Sequence, residues 1–256
     1  MLVDSHAHLD MDDFDPDRPD IIKRAEAAGV ERIVTIGIDV ESSRKALEIA
    51  LANEGIYAAV GIHPHNAASY GKHDIETIAS IVSSSDKVVG WGEIGLDFNR
   101  NYAPRDEQVR LFESQLCLSH DLNLPIIIHD RDAHTEVLEI LKRHPVGKRG
   151  GIIHCFSGDL ELALTFIKMG FFISIPGTVT YKKAETVKTV AAQIPLERLL
   201  VETDAPFLAP VPMRGKRNEP AFVRYTATEI AHLRGIEPQA LTEAASENAG
   251  RLFGIA

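Results

Sequence analysis

Eight times along the chain, a run rich in Val and Ile gives way to a segment with helical spacing of apolar residues, and few folds accept that alternation. The runs lie at 2–8, 32–38, 56–62, 87–94, 124–129, 150–156, 171–176 and 199–203. Most are apolar on both faces, as strands of a parallel sheet covered on both sides should be. The segments 19–29, 40–55, 73–84, 105–122, 133–144, 159–170, 184–194 and 220–235 space their apolar residues as helices do. Several end in Gly just before a strand, where a helix C-cap belongs. This pattern predicts an α/β chain folded as a (β/α)8 TIM barrel, a single domain over 1–256. An open doubly wound sheet is disfavoured, because no G-x-G-x-x-G follows an early strand. The longest irregular stretch, 205–220, directly follows the eighth strand, and long loops of this kind tend to be functional.

Composition narrows the function. The 256 residues carry 27 basic and 37 acidic side chains, a net charge of −10 with neutral histidines. That charge argues against a broad basic surface gripping duplex DNA, while leaving room for a phosphate substrate held locally by metal ions and a few arginines. No apolar run approaches the ~20 residues of a membrane span. The acidic, His-bearing N-terminus does not resemble a secretory leader. Two cysteines, Cys117 and Cys155, cannot make a disulfide framework, so a reducing cytoplasm is expected; separately, the chain is expected to be a monomer. Cys117 falls in a helical pattern and is expected to be packed. Cys155 follows His154 and should point to the opposite face of a continuing strand, so neither thiol is taken as nucleophile or ligand. Ser157 lacks a G-x-S-x-G setting, which removes a serine hydrolase.

The chemistry collects where polar residues interrupt the strands, at their C-terminal ends: His6, His8, His63, Glu93, His129, His154 and Asp204. In a parallel barrel these ends share the face that carries the active site. His6 and His8 are two apart on a strand, so their imidazoles point the same way and can share a metal at about 2.0–2.1 Å. A carboxylate such as Glu93 at the mouth of a buried strand needs a cation or hydrogen bonds to compensate it. His129, His154 and Asp204 complete a set of six donors, more than one ion requires. The set suits two divalent cations about 3.5–4 Å apart with a bridging carboxylate. Imidazole-rich donors favour Zn, Mn, Fe or Co over Mg. His63 or His65, Arg131 and Lys216 are candidates for substrate binding. Asp97 and Arg100 are placed in a loop beyond the fourth strand, in position to touch either substrate or only solvent. Asp4 and Asp10 are as readily solvated or supporting as ligating. His73, His120, His134, His144 and His232 fall away from the strand ends.

The motifs DSHAHLD, VGIHPH, GEIGLDF, IIIHDRDA, HCFSG and ETDAPFLAP, in this order, resemble those of the TatD family of metal-dependent hydrolases, within the amidohydrolase superfamily. RGKRNEP and ENAGRLFGI extend the resemblance over essentially the whole chain. It implies a (β/α)8 barrel with metal ligation by His6, His8, Glu93, His129, His154 and Asp204, and Mg joins Zn and Mn as a candidate metal. Where superfamily relatives often bridge their metals with a modified lysine, Glu93 can supply the bridging carboxylate unmodified. The implied activity is that of a deoxyribonuclease, in some members a 3′–5′ exonuclease. The expected function is therefore hydrolysis of DNA phosphodiesters, at single-stranded regions or 3′ ends, by metal-activated water. Asp204 and Glu93 are the catalytic residues, with Asp204 as general base, while His63, Arg131 and Lys216 hold substrate. The alternative keeps the site and changes the bond: an amide or ester hydrolase such as an aminoacyl-tRNA deacylase.

Overall fold

The Val- and Ile-rich runs extend and pair in sequence order, as a computed structural model describing residues 2–255 shows. The first half of the chain contributes β1 (Leu2–Ala7), α1 (Arg18–Ala27), β2 (Val30–Ile36), α2 (Val40–Ala52), β3 (Ile56–Val60), α3 (Lys72–Ser84), β4 (Val88–Asp97) and α4 (Arg105–Leu122). The second half contributes β5 (Ile126–Arg131), α5 (His134–Arg143), β6 (Gly151–Ile153), α6 (Leu160–Lys168), β7 (Phe171–Ile175), α7 (Glu185–Gln193), β8 (Leu199–Val201), α8 (Val223–Arg234) and α9 (Pro238–Phe253). All eight strands form one sheet in the order β1 to β8, and every neighbouring pair is parallel. Helices start where polar caps are available. Asp39 accepts the Ser42 amide at 2.8 Å to open α2, and Asp159 accepts that of Leu162 at 2.9 Å to open α6. Among the described residues no helix is long and apolar enough to cross a membrane.

The sheet closes between β1 and β8. The Asp204 amide donates to the His6 carbonyl at 2.9 Å, and the His8 amide donates to the Ala205 carbonyl at 2.8 Å. Asp4 reinforces the seam, its two carboxylate oxygens accepting the amide and hydroxyl of Thr203 at 2.9 and 2.5 Å. Both oxygens are thus occupied in holding the barrel shut.

Inside the barrel, Val3, Val34, Ile36, Ala59, Val89, Ile127, Ile152, Phe172 and Leu200 bring at least one apolar residue from each strand to a single cluster. That cluster is capped by Leu252, Phe253 and Ile255. These come from α9 and the residues after it, an element that the periodicity does not reveal. The buried face of α9 includes Ala245, Ser246, Asn248 and Ala249, so its contrast with the outer face is weak. Asn248 donates to the carbonyls of Leu196 and Leu199 at 2.8 and 2.9 Å, tying α9 to the start of β8. A second apolar layer lies between the strands and the surrounding helices.

Strand lengths differ from expectation in ways that matter to the site. β4 runs on through Glu93 to Asp97, so Asp97 is a fully buried strand residue rather than part of a loop. β6 and β8 stop early, leaving His154 and Asp204 just past their ends. Cys155 consequently does not continue a strand: at φ 45° it turns and lines the same cavity as His154. Cys117 is exposed rather than packed.

Candidate metal centre

The path of β4 depends on two glycines. Gly92 and Gly95 have φ of 148° and 141°, and a Cβ on Gly95 would lie 2.0 Å from the His129 carbonyl oxygen. They let β4 press against β5 where Glu93 and His129 meet. Two buried glutamines of α4 fix the neighbouring strand ends. Gln115 clamps both the amide and carbonyl of Ile62, next to His63, at 2.9 and 2.8 Å. Gln108 accepts the Asp97 amide at 2.8 Å and donates to the Asp97 carbonyl at 3.1 Å. The site thus rests on rigid elements even though its donors come from five strand ends.

Six predicted donors converge, and Glu93 divides them. Around its Oε2 stand His6 Nε2 at 3.5 Å and His8 Nε2 at 3.8 Å. Those imidazole nitrogens are 3.3 Å from each other, and Asp204 Oδ1 lies 3.7 and 3.4 Å from them. Tetrahedral donors about 2.1 Å from a shared ion stand about 3.4 Å apart, so this set is spaced as ligands around a cation. On the other side, Glu93 Oε1 lies 2.7 Å from both His129 Nδ1 and His154 Nε2, which are 3.2 Å apart. This half is drawn in to hydrogen-bond separations. A cation would enter it by displacing the N–H protons through which the two imidazoles meet Glu93.

The ring orientations follow from the atoms behind them. His8 Nδ1 lies 3.1 Å from the Ile36 carbonyl, which fixes a proton there and leaves Nε2 free to ligate. His129 Nε2 is 3.4 Å from Asp97 Oδ2, directing Nδ1 inward. His154 Nδ1 is 3.5 Å from Glu202 Oε1, which also accepts the Cys155 amide at 2.6 Å. His63 differs. Its Nδ1 accepts the His65 amide at 3.1 Å, so the neutral ring carries its proton on Nε2, 3.5 Å from Glu93 Oε1. By spacing, His63, Glu93 and His129 could also hold an ion, but a protonated Nε2 has no lone pair for one. The tautomer makes His63 a donor.

Protonation follows this arrangement. Burial would raise the Glu93 carboxyl, but His154, His63 and His129 hold it well below the ordinary range. Burial works against a charged His8, yet hydrogen bonding to Asp204 and the charge of Glu93 push it up to about 9. His154 is likewise held well above the ordinary imidazole value by Glu93 and Glu202 despite its burial. Burial drives His63 down to about 3, leaving it neutral. Asp204 is lowered, since His8, His154 and His6 outweigh its burial. Asp97 is lowered too. Burial opposes its charge, but His129, His65 and the Arg100 amide override that penalty.

His8, Glu93, His129, His154 and Asp204 form the floor of a cavity of about 870 Å³, and His6 is buried outside its lining. Its wall carries Arg100, Arg131 and Lys183 against Asp130, Asp132 and Glu185. Arg131 is therefore where the sequence places it. Lys216 is not: it is exposed in the loop after β8 and outside the cavity lining. That loop is anchored on the α1 side, where both oxygens of Asp17 accept from Arg217 at 2.8 and 2.7 Å. Lys183 and Glu202 belong to the site without being expected there from the sequence, and Asp97, expected in a loop against substrate or solvent, instead backs His129 from β4. A clue to Glu202 was present, since an acid inside the apolar LLVET is as costly as Glu93 and asks for a partner.

The chain has clear relatives among known proteins. The sequence profile described as TatD related DNase matches residues 3–254. The chain is 45% identical over 255 residues to a metal-dependent hydrolase of Bacillus subtilis, YabD, with all of both chains covered. It is 35% identical over 260 residues to a 3′–5′ ssDNA/RNA exonuclease, TatD, of Citrobacter koseri, again with full coverage of both. The crystal structure of the TatD homologue YJJV of Escherichia coli K12 superposes with a TM-score of 0.94 at 32% identity, over 100% of this chain and 98% of that one. The chain belongs to the TatD-related DNase family of metal-dependent hydrolases.

Proposed function

We propose that the protein hydrolyses phosphodiester bonds of single-stranded DNA from the 3′ end, using two divalent cations, Zn or Mn being favoured by the donors and Mg remaining an alternative. The observation that carries this reading is Glu93, whose two oxygens face separate donor sets. His6, His8, Glu93 Oε2 and Asp204 would hold one ion, and Glu93 Oε1, His129 and His154 the other. Bound there, the cations would bring the pKa of water toward ~7 and offset charge developing on the phosphoryl group.

The chain's own groups do the rest. Asp204, kept ionised at neutral pH, accepts the proton of the attacking water. Neutral His63 donates from Nε2 to a phosphoryl oxygen, a role that burial protects by keeping the ring uncharged. Arg131 binds the adjacent phosphate, with Lys183 in the place that sequence gave to Lys216. The relative named as a 3′–5′ ssDNA/RNA exonuclease supports the direction and the strand preference.

The test pairs elemental analysis of protein purified without chelator with digestion of a 5′-labelled single strand. The expected result is at least one transition metal per chain and shortening in single-nucleotide steps. Internal cuts would replace exonuclease by endonuclease action. Turnover confined to amide or carboxylic ester substrates would overturn the nuclease reading.

A further inference from the structure

The exposed large hydrophobic side chains among the described residues are Leu51, Tyr102, Phe207 and Val211. The two aromatic ones, Tyr102 at 65% and Phe207 at 48% exposure, both line the metal cavity. They also stand on opposite sides of Glu93. The Phe207 ring lies edge-on to His8, with centroids 6.2 Å apart, on the Oε2 side. The Tyr102 ring lies edge-on to His65 at 4.7 Å. His65 in turn is 2.7 Å from Asp97, which adjoins His129 on the Oε1 side.

Neither ring sits on a loose backbone. The Phe207 amide donates to the Asp204 carbonyl at 2.9 Å, and its carbonyl accepts from the buried Asn218. Tyr102 is flanked by Asn101, whose side chain donates to the Phe98 carbonyl at 2.7 Å, and by Ala103, whose carbonyl accepts from Gln108 at 2.9 Å. Apolar rings left open to water on fixed backbone are surfaces that a ligand can cover at little cost in ordering.

Electrostatics alone gives a polynucleotide little hold here. Three basic side chains line the cavity against six acidic ones, Glu93 and Asp204 included, and the whole chain carries −10. Beyond the phosphate contacts of the centre itself, further affinity has to come from the bases, and stacking on aromatic faces is available to every one of them. A base paired in a duplex cannot reach such a ring without leaving its stack.

Building on the nuclease reading above, we propose that Tyr102 and Phe207 are a two-sided base clamp that makes the site selective for single strands. One base stacks on each ring, and the phosphodiester between or next to them lies over Glu93. The same arrangement tolerates any base sequence, because stacking does not read hydrogen-bonding edges.

The experiment measures binding of fluorescein-labelled single strands carrying two 3′-terminal phosphorothioate linkages to the metal-loaded full chain. One strand bears all its bases, and in the other the last two residues are abasic. Tyr102→Ala and Phe207→Ala should each weaken binding of the complete strand roughly ten-fold. Their effect should shrink several-fold on the abasic strand, and Tyr102→Phe and Phe207→Trp should restore binding. Metal content, measured on every variant, separates loss of stacking from loss of ions. Equal weakening on both strands, or none on either, would overturn the clamp. Weakening confined to the complete strand in a protein that cleaves no phosphodiester would retain the clamp and remove the nuclease reading. Cleavage by a wild type that binds complete and abasic strands alike would do the reverse.

Discussion

The two ends of the barrel are built from the same strands and follow opposite rules. Toward the N-terminal end, each strand gives at least one apolar residue to a cluster that α9 seals with Leu252 and Phe253. Toward the C-terminal end, the same strands give imidazoles and carboxylates that crowd within 2.7–3.8 Å of one another below a cavity. β1 supplies Val3 to one end and His6 to the other; β5 supplies Ile127 and His129. Packing has filled the first end and left the second open. Stability and chemistry are therefore separated along each strand by only a few residues, about 3.3 Å apiece. Substitutions at the two ends should fail in different ways.

The sharpest test is Glu93→Ala. It removes the only side chain shared by both donor sets, and activity on single-stranded DNA should fall by at least about a thousand-fold. The far-ultraviolet circular dichroism should stay that of the wild type. Activity retained in the refilled variant would take Glu93 out of the centre. At the opposite end, Phe253→Ala should cost about 3–5 kcal/mol of unfolding free energy by denaturant titration. Its kcat per folded molecule should be unchanged, and a matching loss of kcat would show that the two ends are coupled.

Metal affinity should depend on pH because cations displace protons. In the metal-free protein His8 holds its proton up to about pH 9. Uptake at pH 7 must therefore release that proton, and affinity should rise about ten-fold per pH unit per proton displaced until pH approaches 9. Calorimetry in two buffers of different ionisation enthalpy reads the release directly. Identical heats in both would contradict it. The smallest effects separate two cations that look equivalent in sequence. Arg131→Ala should raise KM about five- to ten-fold by losing a phosphate contact. Lys216→Ala, outside the cavity, should change KM less than about two-fold.

The alternation of strand and helix was legible because β-branched runs covered on both faces have few other uses. The donors were legible for a related reason: a histidine closing LPIIIH or GGIIH breaks an apolar pattern at a position that topology gathers with others. What escaped was whatever breaks no pattern. α9 hides because part of its buried face is Ala, Ser and Asn. Asp97 reads as a loop residue because the polar Asn99, Arg100 and Asn101 follow closely, and it is the pairing of Ile94 through Asp97 with Ile128 through Arg131 that shows β4 continuing. Lys216 and Lys183 are both exposed lysines in loops, and nothing local distinguishes the one on the cavity. The tautomer of His63 depends on an amide two residues away, a contact that a spacing argument does not contain.

The closure of the barrel has a consequence for the timing of activity. The hydrogen bonds that join the first strand to the last run through His6, His8, Asp204 and Ala205, so the place where the cylinder is fastened is also where the ligands assemble. A nascent chain lacks this pocket until some two hundred residues have left the ribosome, and a chain that has emerged but not yet wound shut lacks it too. The ligand set is therefore complete only in a chain whose first and last strands have met, and an unclosed copy has no assembled centre.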